Sequence, residues 1–411
     1  MRPILKPGLR RLWRDGSTLQ IGVDPVRAIV LGGLTARDAS VLDMLDGTRS
    51  REQVLSSLDA ARRELVVLLE DTGMIEDAAP ADRSPLSMLD HERLVPDLAS
   101  ISLGSTDPTH VHRMLRARRH ARIQVRGAGR VGAQVATLLA AAGIGHVVVD
   151  DTGVTRPADV APGGVRLDDI GRPRSTATAS AIARVARPLA SRETRHRAGA
   201  PFRPDLVVIT PAGIPVVHPH ESLELERTGI PHLLAGIRET TAVIGPLVLP
   251  GMTSCLHCQH LHRGAAEPAW PLLALQMSRR PDSGVDACDV MLATVAAGLT
   301  AMQALSLVES GGCDRRRDGP HDGPHDEGSS QEWGQPHRLT AGDLPTIDGT
   351  LEMAASELRV RRRSWSVHPS CPCRSARLLT ATNVDEVINQ PTTRYTTPDR
   401  VDRATSPPPP G

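Results

Sequence analysis

Two groups of residues in this chain have types and spacings that could do chemistry. The first is the turn Gly127-Ala-Gly129-Arg130-Val-Gly132, set between the apolar run "RIQV" and the Ala/Leu-rich "AQVATLLAAAG". In a strand–turn–helix unit the first glycine permits the tight turn and the second lets a pyrophosphate approach the backbone. The third allows close helix–strand packing, with the helix N-terminus aimed at negative charge. A second apolar run, "HVVVD", ends at Asp150, 21 residues after Gly129, where an acid takes ribose hydroxyls. Strand, turn, helix, strand and acid in register point to a nucleotide-binding α/β domain. The competing reading is that the glycines serve only packing.

The second group is Cys255-Leu-His-Cys258 with Cys371-Pro-Cys373. Two thiolate pairs, each close in sequence and distant from the other, suit a tetrahedral Zn²⁺ held by four cysteines. The alternatives are reduced surface thiols, or His257, His260 or His368 in place of one ligand. Four closed ligands leave no open coordination position, so such a zinc is expected to be structural. Of the two other cysteines, Cys288 begins a long apolar segment and reads as a small buried residue. Cys313 falls in a low-complexity stretch.

Composition limits the remainder. The chain has 411 residues, long enough for two or three domains, and a formal net charge of +1, which suggests neither a nucleic-acid nor a membrane partner. One Tyr, one Phe and four Trp leave the cores to Leu, Val, Ile and Ala. Lys6 is the single lysine among 48 basic residues, so chemistry needing a lysine ammonium at the glycine turn is excluded. With no signal-like opening and no run approaching the ~18 apolar residues of a membrane span, a cytoplasmic protein is expected. There, cysteines serve as metal ligands or free thiols more often than as disulfides.

The elements that must position these residues follow from pattern. Residues 1–78 read as a compact unit: strands "STLQIGV" and "RAIVL", a helix capped by Thr35, a capping box at Ser50 and Gln53, and a third helix from Ala60 to Asp71 that stops at Gly73. This suggests a winged-helix α+β shape. Residues 79–118 read as a connector whose basic end, "HRMLRARRHAR", is a solvated helix face. From 119 to 380, alternating strands and helices require a largely parallel sheet. The segments are "DLVVIT", "ESLELERTGI", "PHLLAGI", a strand pair bent at Gly245-Pro246, and the long apolar helix "DVMLATVAAGLTAMQALSLVES". Residues 310–337, with "DGPH" twice in succession, read as a disordered insertion, and 381–411 as a disordered tail.

Glycine turn and cysteine pairs, in this order, resemble the ThiF/MoeB-type adenylyltransferases, relatives of the ubiquitin-activating enzymes. The resemblance spans roughly 119–378 and implies a Rossmann-like fold, ATP on the turn and a carboxylate substrate. It places Gly127, Gly129, Arg130, Gly132 and Asp150 at the nucleotide, and Arg174 of "GRPR" where the family has lysine. Three departures follow. The family's S-N-L-x-R-Q arginine falls in "RPADVAPGG" with no arginine in register. The lysine is an arginine, whose fork is not a point charge. The metal-binding acid expected after "DLVVI" is missing from "TPAGIP". Mg²⁺ needs carboxylate oxygens beside the phosphates, so the resemblance implies a site without adenylation. Asp151, Asp168 and Asp169 are the acids nearby in sequence that could substitute.

Residues 1–78 resemble PqqD-type peptide-recognition domains, which bind leader segments of ribosomally made precursor peptides by β-augmentation. That resemblance places the groove at Gln20, Ile21, Gly22 and Val23 and on the third helix at Arg62, Leu65, Val66 and Leu69. DNA binding, the other use of a winged helix, needs a basic face. Residues 1–80 instead carry 11 basic and 12 acidic side chains. The fusion is similar to the leader-binding partners of azoline-forming cyclodehydratases. The expected function is therefore presentation of a precursor peptide to a separate modifying enzyme, with structural zinc, ATP as a possible ligand and a possible homodimer. The alternatives are an active adenylyltransferase, acting on a peptide or small-protein C-terminal carboxylate, and an NAD(P)-dependent oxidoreductase, which does not account for the cysteine pairs.

Overall fold

The computed structural model describes residues 1–78, 86–187, 202–278, 284–311 and 344–374. The expected insertion at 310–337 falls almost wholly outside these residues, as do Cys313 and the 381–411 tail.

In the N-terminal unit, β1 (Pro3–Leu5) pairs antiparallel with β5 (Ile75–Asp77), and β2 (Arg11–Trp13), β3 (Leu19–Ile21) and β4 (Ile29–Leu31) form a second sheet in the order β2-β3-β4. Three helices accompany them: α1 (Ala36–Met44), α2 (Arg51–Ser56) and α3 (Ala60–Asp71). Thr35 and Ser50 both close capping boxes, each side chain accepting a backbone N–H of the first turn. Leu19, Ile21, Val41, Val54, Val66 and Leu69 fill the core of this unit.

The 79–118 segment differs from the expected connector. It carries α4 (Met88–Leu103) and α5 (His110–His120), and the basic end is not simply solvated. Arg118 is buried, donating to Glu309 and to the Ala142 carbonyl. Its apolar neighbours Val111, Met114 and Leu115 turn inward at helical spacing, which brings Arg118 with them. Lys6, also buried, donates to the carbonyls of Ser102 and Ser105 and so ties the N-terminal unit to the end of α4.

The main domain is a seven-stranded sheet of order β12-β11-β10-β9-β8-β6-β7. Its strands are β6 (Arg122–Arg126), β7 (His146–Asp150), β8 (Leu206–Ile209), β9 (His232–Arg238), β10 (Thr241–Val248), β11 (Gly349–Ala354) and β12 (Val360–Ser364). The first four in chain order are parallel and β9 through β12 form an antiparallel extension. The expected strand pair at Gly245-Pro246 is one strand, β10, with a cis peptide there and a register shift between Ile244 and Leu247.

On one face lie α6 (Gly132–Ala141) and the long helix, here α11 (Val290–Glu309). The helices α7 (Arg174–Val185), α8 (Pro219–Thr228), α9 (Leu256–Ala266) and α10 (Trp270–Met277) complete the set. Contrary to the sequence expectation, α11 is long and apolar enough to cross a membrane by composition. Half of it is buried instead against the sheet, where Ala293, Ala296, Ala297, Ala301 and Ala304 let helix and strands approach closely. Small aliphatic packing of this kind is what a chain poor in Phe and Tyr has available.

Candidate functional site

The glycine turn sits where parallel order reverses, at the C-terminal ends of β6 and β8, the crevice in which open α/β sheets hold ligands. Gly127 has φ +94°, and a Cβ there would lie 2.0 Å from the Thr210 carbonyl oxygen. At Gly132 a Cβ would lie 2.0 Å from the Gly127 oxygen and 2.3 Å from Thr210 Oγ1. Thr210 in turn donates to the Gly127 carbonyl. Packing alone therefore requires these two glycines. Gly129 differs: its φ is ordinary and a Cβ would meet only Ala212, at 3.6 Å, and Asp159, at 3.8 Å. It lines the cavity, and no side chain caps the N-terminus of α6 beside it. The open approach to backbone N–H groups survives at this one glycine.

Substitution separates the two roles. Gly132→Ala is expected to lower stability by about 3 kcal/mol or more, because the new methyl meets backbone that cannot move aside. Gly129→Ala should stay within ~0.5 kcal/mol. Urea unfolding of both variants measures the difference.

The cavity measures about 150 Å³ and is lined by Gly129, Arg130, Arg156, Asp159, Arg174, Pro211, Asp286 and Cys288 among others. Typical small-molecule pockets run to roughly 300–1,000 Å³. Several of its charges are already engaged. Arg174 is buried and forms a two-pronged pair with Asp159, Nε to Oδ2 at 2.9 Å and Nη2 to Oδ1 at 2.8 Å. Its Nη1 lies 3.8 Å from Asp151. Asp151 accepts the Ala128 N–H of the glycine turn at 2.7 Å and the Gly153 N–H at 2.6 Å. A carboxylate of the chain thus occupies one amide of the turn, and two carboxylates surround the arginine at the family's lysine position. Arg130 reaches the carbonyls of Ala158 and Cys288, bracing the turn against both walls.

Among the acids considered as replacements, Asp151 is engaged in this network. Asp169 is buried and pairs with Arg172, while Asp168 lines a separate shallow depression. Besides Asp159, the acid that faces the cavity is Asp286, beside Gly213, with no hydrogen-bond or ion-pair partner among the described residues. No motif flags it: it arrives from 76 residues beyond Thr210. Asp150 is exposed at the end of β7 and accepts a bond from Gln124. Burial raises the Cys288 thiol above its ordinary value, which suits a packing role.

The second group does converge. The four sulfurs of Cys255, Cys258, Cys371 and Cys373 all lie within 4.8 Å of one another. Neighbouring pairs are 3.7 Å (Cys255–Cys258), 3.6 Å (Cys255–Cys371) and 3.7 Å (Cys258–Cys373) apart. Ligands about 2.3 Å from a tetrahedral zinc stand ~3.8 Å apart, whereas a disulfide needs ~2.05 Å. Cys255 caps α9 and accepts the Cys258 N–H, which fixes the first pair, and the segment after β12 brings the second. The four cysteines could bind one metal ion.

In the N-terminal unit the residues expected to line a peptide groove do not share a free sheet edge. Gln20 and Ile21 lie on β3, the central strand, paired on both sides, so they offer no free edge. Gly22 and Val23 lie just beyond that strand. Val66 and Leu69 are fully buried in the core, Arg62 is tied to Asp38 and Asp59, and Leu65 is partly buried. The central position of β3 comes from β2, a strand the sequence pattern does not reveal. The free edges belong to β2 and β4.

Fold and crevice define a Rossmann-like α/β protein carrying a four-cysteine cluster. Residues 108–206 match the ThiF family model, so the chain contains a ThiF-family domain. Among solved structures it resembles E. coli MccB crystallised with ATP, with 16% identity, a TM-score of 0.58 and coverage of 91% of this chain and 99% of that one. The structure of the microcin C7 biosynthetic enzyme MccB in complex with N-formylated MccA matches with 15% identity, TM-score 0.58 and coverage of 91% and 100%. PaaA matches with 16% identity, TM-score 0.55 and coverage of 88% and 99%. At these identities the likeness is one of fold, and it extends over the N-terminal unit as well. No curated protein matches the chain.

Proposed function

We propose that this chain is a non-adenylating ThiF-like protein that binds the leader of a ribosomally made precursor peptide and presents it to a separate modifying enzyme, such as a cyclodehydratase. The observation that carries the reading is the engagement of Arg174 by Asp159 and Asp151. A guanidinium held by two carboxylates has no net charge left for phosphates, and phosphoryl chemistry depends on such charge. The resemblance of the fold to MccB, crystallised with MccA, supports a peptide partner.

The leader adds as a strand on the outer edge of β2. Gly22 and Thr18 bond to Arg10 and Arg14, so by antiparallel alternation the N–H groups of Arg11 and Trp13 point outward. Trp13, 51% exposed, projects beside this edge as an apolar contact. Zinc in the four-cysteine cluster clamps the main domain. Unpaired thiols at that spacing suit a reducing, cytoplasmic setting. Helix α10 buries none of its residues and exposes Leu272, Leu273 and Leu275, a surface suited to a homodimer or the modifying enzyme.

One observation favours the second reading, an active adenylyltransferase: Asp286 and Gly129 both face the cavity, an acid and an open backbone. The two readings part in a single preparation. With a candidate precursor peptide as probe, labelled leader should bind the full chain, and Trp13→Pro should weaken binding about tenfold or more. ATP–pyrophosphate exchange should stay at background with that precursor. Robust exchange removes the presentation reading; unchanged affinity in Trp13→Pro moves the groove elsewhere.

A further inference from the structure

On the opposite face of the sheet from α11, Arg263 of α9 lies with its guanidinium 4.7 Å from the Trp270 ring and 5.3 Å from the Trp365 ring. Arg363 of β12 covers Trp365 as well, at 4.8 Å. Half of the chain's four tryptophans therefore hold one cation. No carboxylate pairs with Arg263 among the described residues. The acid whose charge bears on it, Glu352, is engaged by Arg238 at 3.2 Å. Burial and the neighbouring charges of Arg238 and Arg363 draw the Arg263 guanidinium down to about 10. Arg263 is half-buried, and stacking on the rings leaves its in-plane N–H donors open to an anion.

One turn away on the same face of α9, Gln259 is 6% exposed and its Nε2 has no hydrogen-bond partner. Gln259, His260 and Arg263 line one recess, closed by Pro215, Val217 and Leu234. The His260 ring is held in place by Trp270, whose Nε1 donates to its Nδ1 at 3.0 Å. The recess measures about 10 Å³, room for roughly one water-sized group. It admits a group the size of a single carboxylate oxygen, and not a ring or a nucleotide.

We infer that Arg263 and Gln259 form a carboxylate-binding pocket, in which a carboxylate of an extended peptide is received by the guanidinium edge and the buried amide. A guanidinium fork and a carboxylate match in geometry, and the charge-assisted bonds are strong where water is excluded. The pocket is separate from the glycine turn and from the β2 edge, and it stands whether or not the leader reading holds. The shared chemistry is a carboxylate, with an acidic side chain and a C-terminus as its two sources.

Four tryptophans make the indole N–H spectrum of the full ¹⁵N-labelled chain readable, with Trp270 assigned by Trp270→Phe. Three probes are titrated: acetyl-Ala-Glu-Ala-amide, acetyl-Ala-Gln-Ala-amide, and acetyl-Ala-Ala-Ala with a free C-terminal carboxylate. The Trp270 signal should shift saturably with at least one carboxylate probe and not with the glutamine peptide. The probe that binds identifies the source. Arg263→Met should weaken binding about tenfold or more. Should that variant unfold, Arg263→Lys, which keeps the charge and loses the fork, should still weaken it severalfold. The inference is overturned if neither carboxylate moves the Trp270 signal, if the glutamine peptide binds equally, or if a folded Arg263 variant binds as the wild type does.

Discussion

Arg174→Met is expected to destabilise the main domain by about 3–5 kcal/mol, the cost of leaving a buried charge without its partner. Arg174 is 5% exposed and Asp159 6%, and methionine at 174 leaves the Asp159 carboxylate without its cation, holding only the Arg156 N–H. Asp151 loses its contact with Arg174 but keeps the Ala128 and Gly153 N–H groups. The double variant Arg174→Met/Asp159→Leu should recover most of the loss, because an apolar pair of similar volume replaces the ionic one without stranding a charge. Urea unfolding of the three proteins measures this. An arginine kept for ATP predicts the reverse pattern: stability little changed in the single variant, and nucleotide affinity lost.

The second large effect concerns the metal. Structural zinc contributes on the order of 10 kcal/mol where it organises a fold. Here the cluster joins the start of α9 to the segment following β12, residues more than a hundred positions apart. Cys258→Ser should reduce the metal content from about one zinc per chain to none, and a large drop in the thermal midpoint should accompany it. Elemental analysis of purified protein together with a melting curve tests both. A wild-type chain that is folded and free of metal would rule out the clamp.

Much of this was legible in local pattern. The run from Ile123 to Asp150 spelled β6, α6 and β7 because alternating apolar residues, a glycine turn and an Ala/Leu helix are all short-range signals. Thr35 and Ser50 marked helix starts through caps that act within one turn. The cysteine pairs were legible because ligand spacing within each pair is set by a single helix start or tight turn. Short strands were less so. The three residues of β2 carry no apolar alternation, all being exposed, and without β2 the position of β3 could be mistaken for an edge. The helix α11 was read correctly as a core element, yet its length and apolar content alone also suit a membrane span; only its packing on β9 and β10 separates the two.

The sequence by itself determined the fold class, the glycine turn and the thiolates, since each depends on neighbours a few positions apart. It also carried the departures at "RPADVAPGG", "GRPR" and "TPAGIP" that weaken a catalytic reading. Which charges meet was decided in three dimensions. Asp159 lies within "RPADVAPGG", which singles it out for nothing, until the 3-10 turn at 157–159 and the start of α7 bring it against Arg174. Asp286 reaches the cavity, and Arg263 its two indoles, across still longer stretches of chain. Ion pairs and stacked rings are formed by side-chain ends whose positions depend on how the sheet and its helices pack, and a linear pattern carries no record of that.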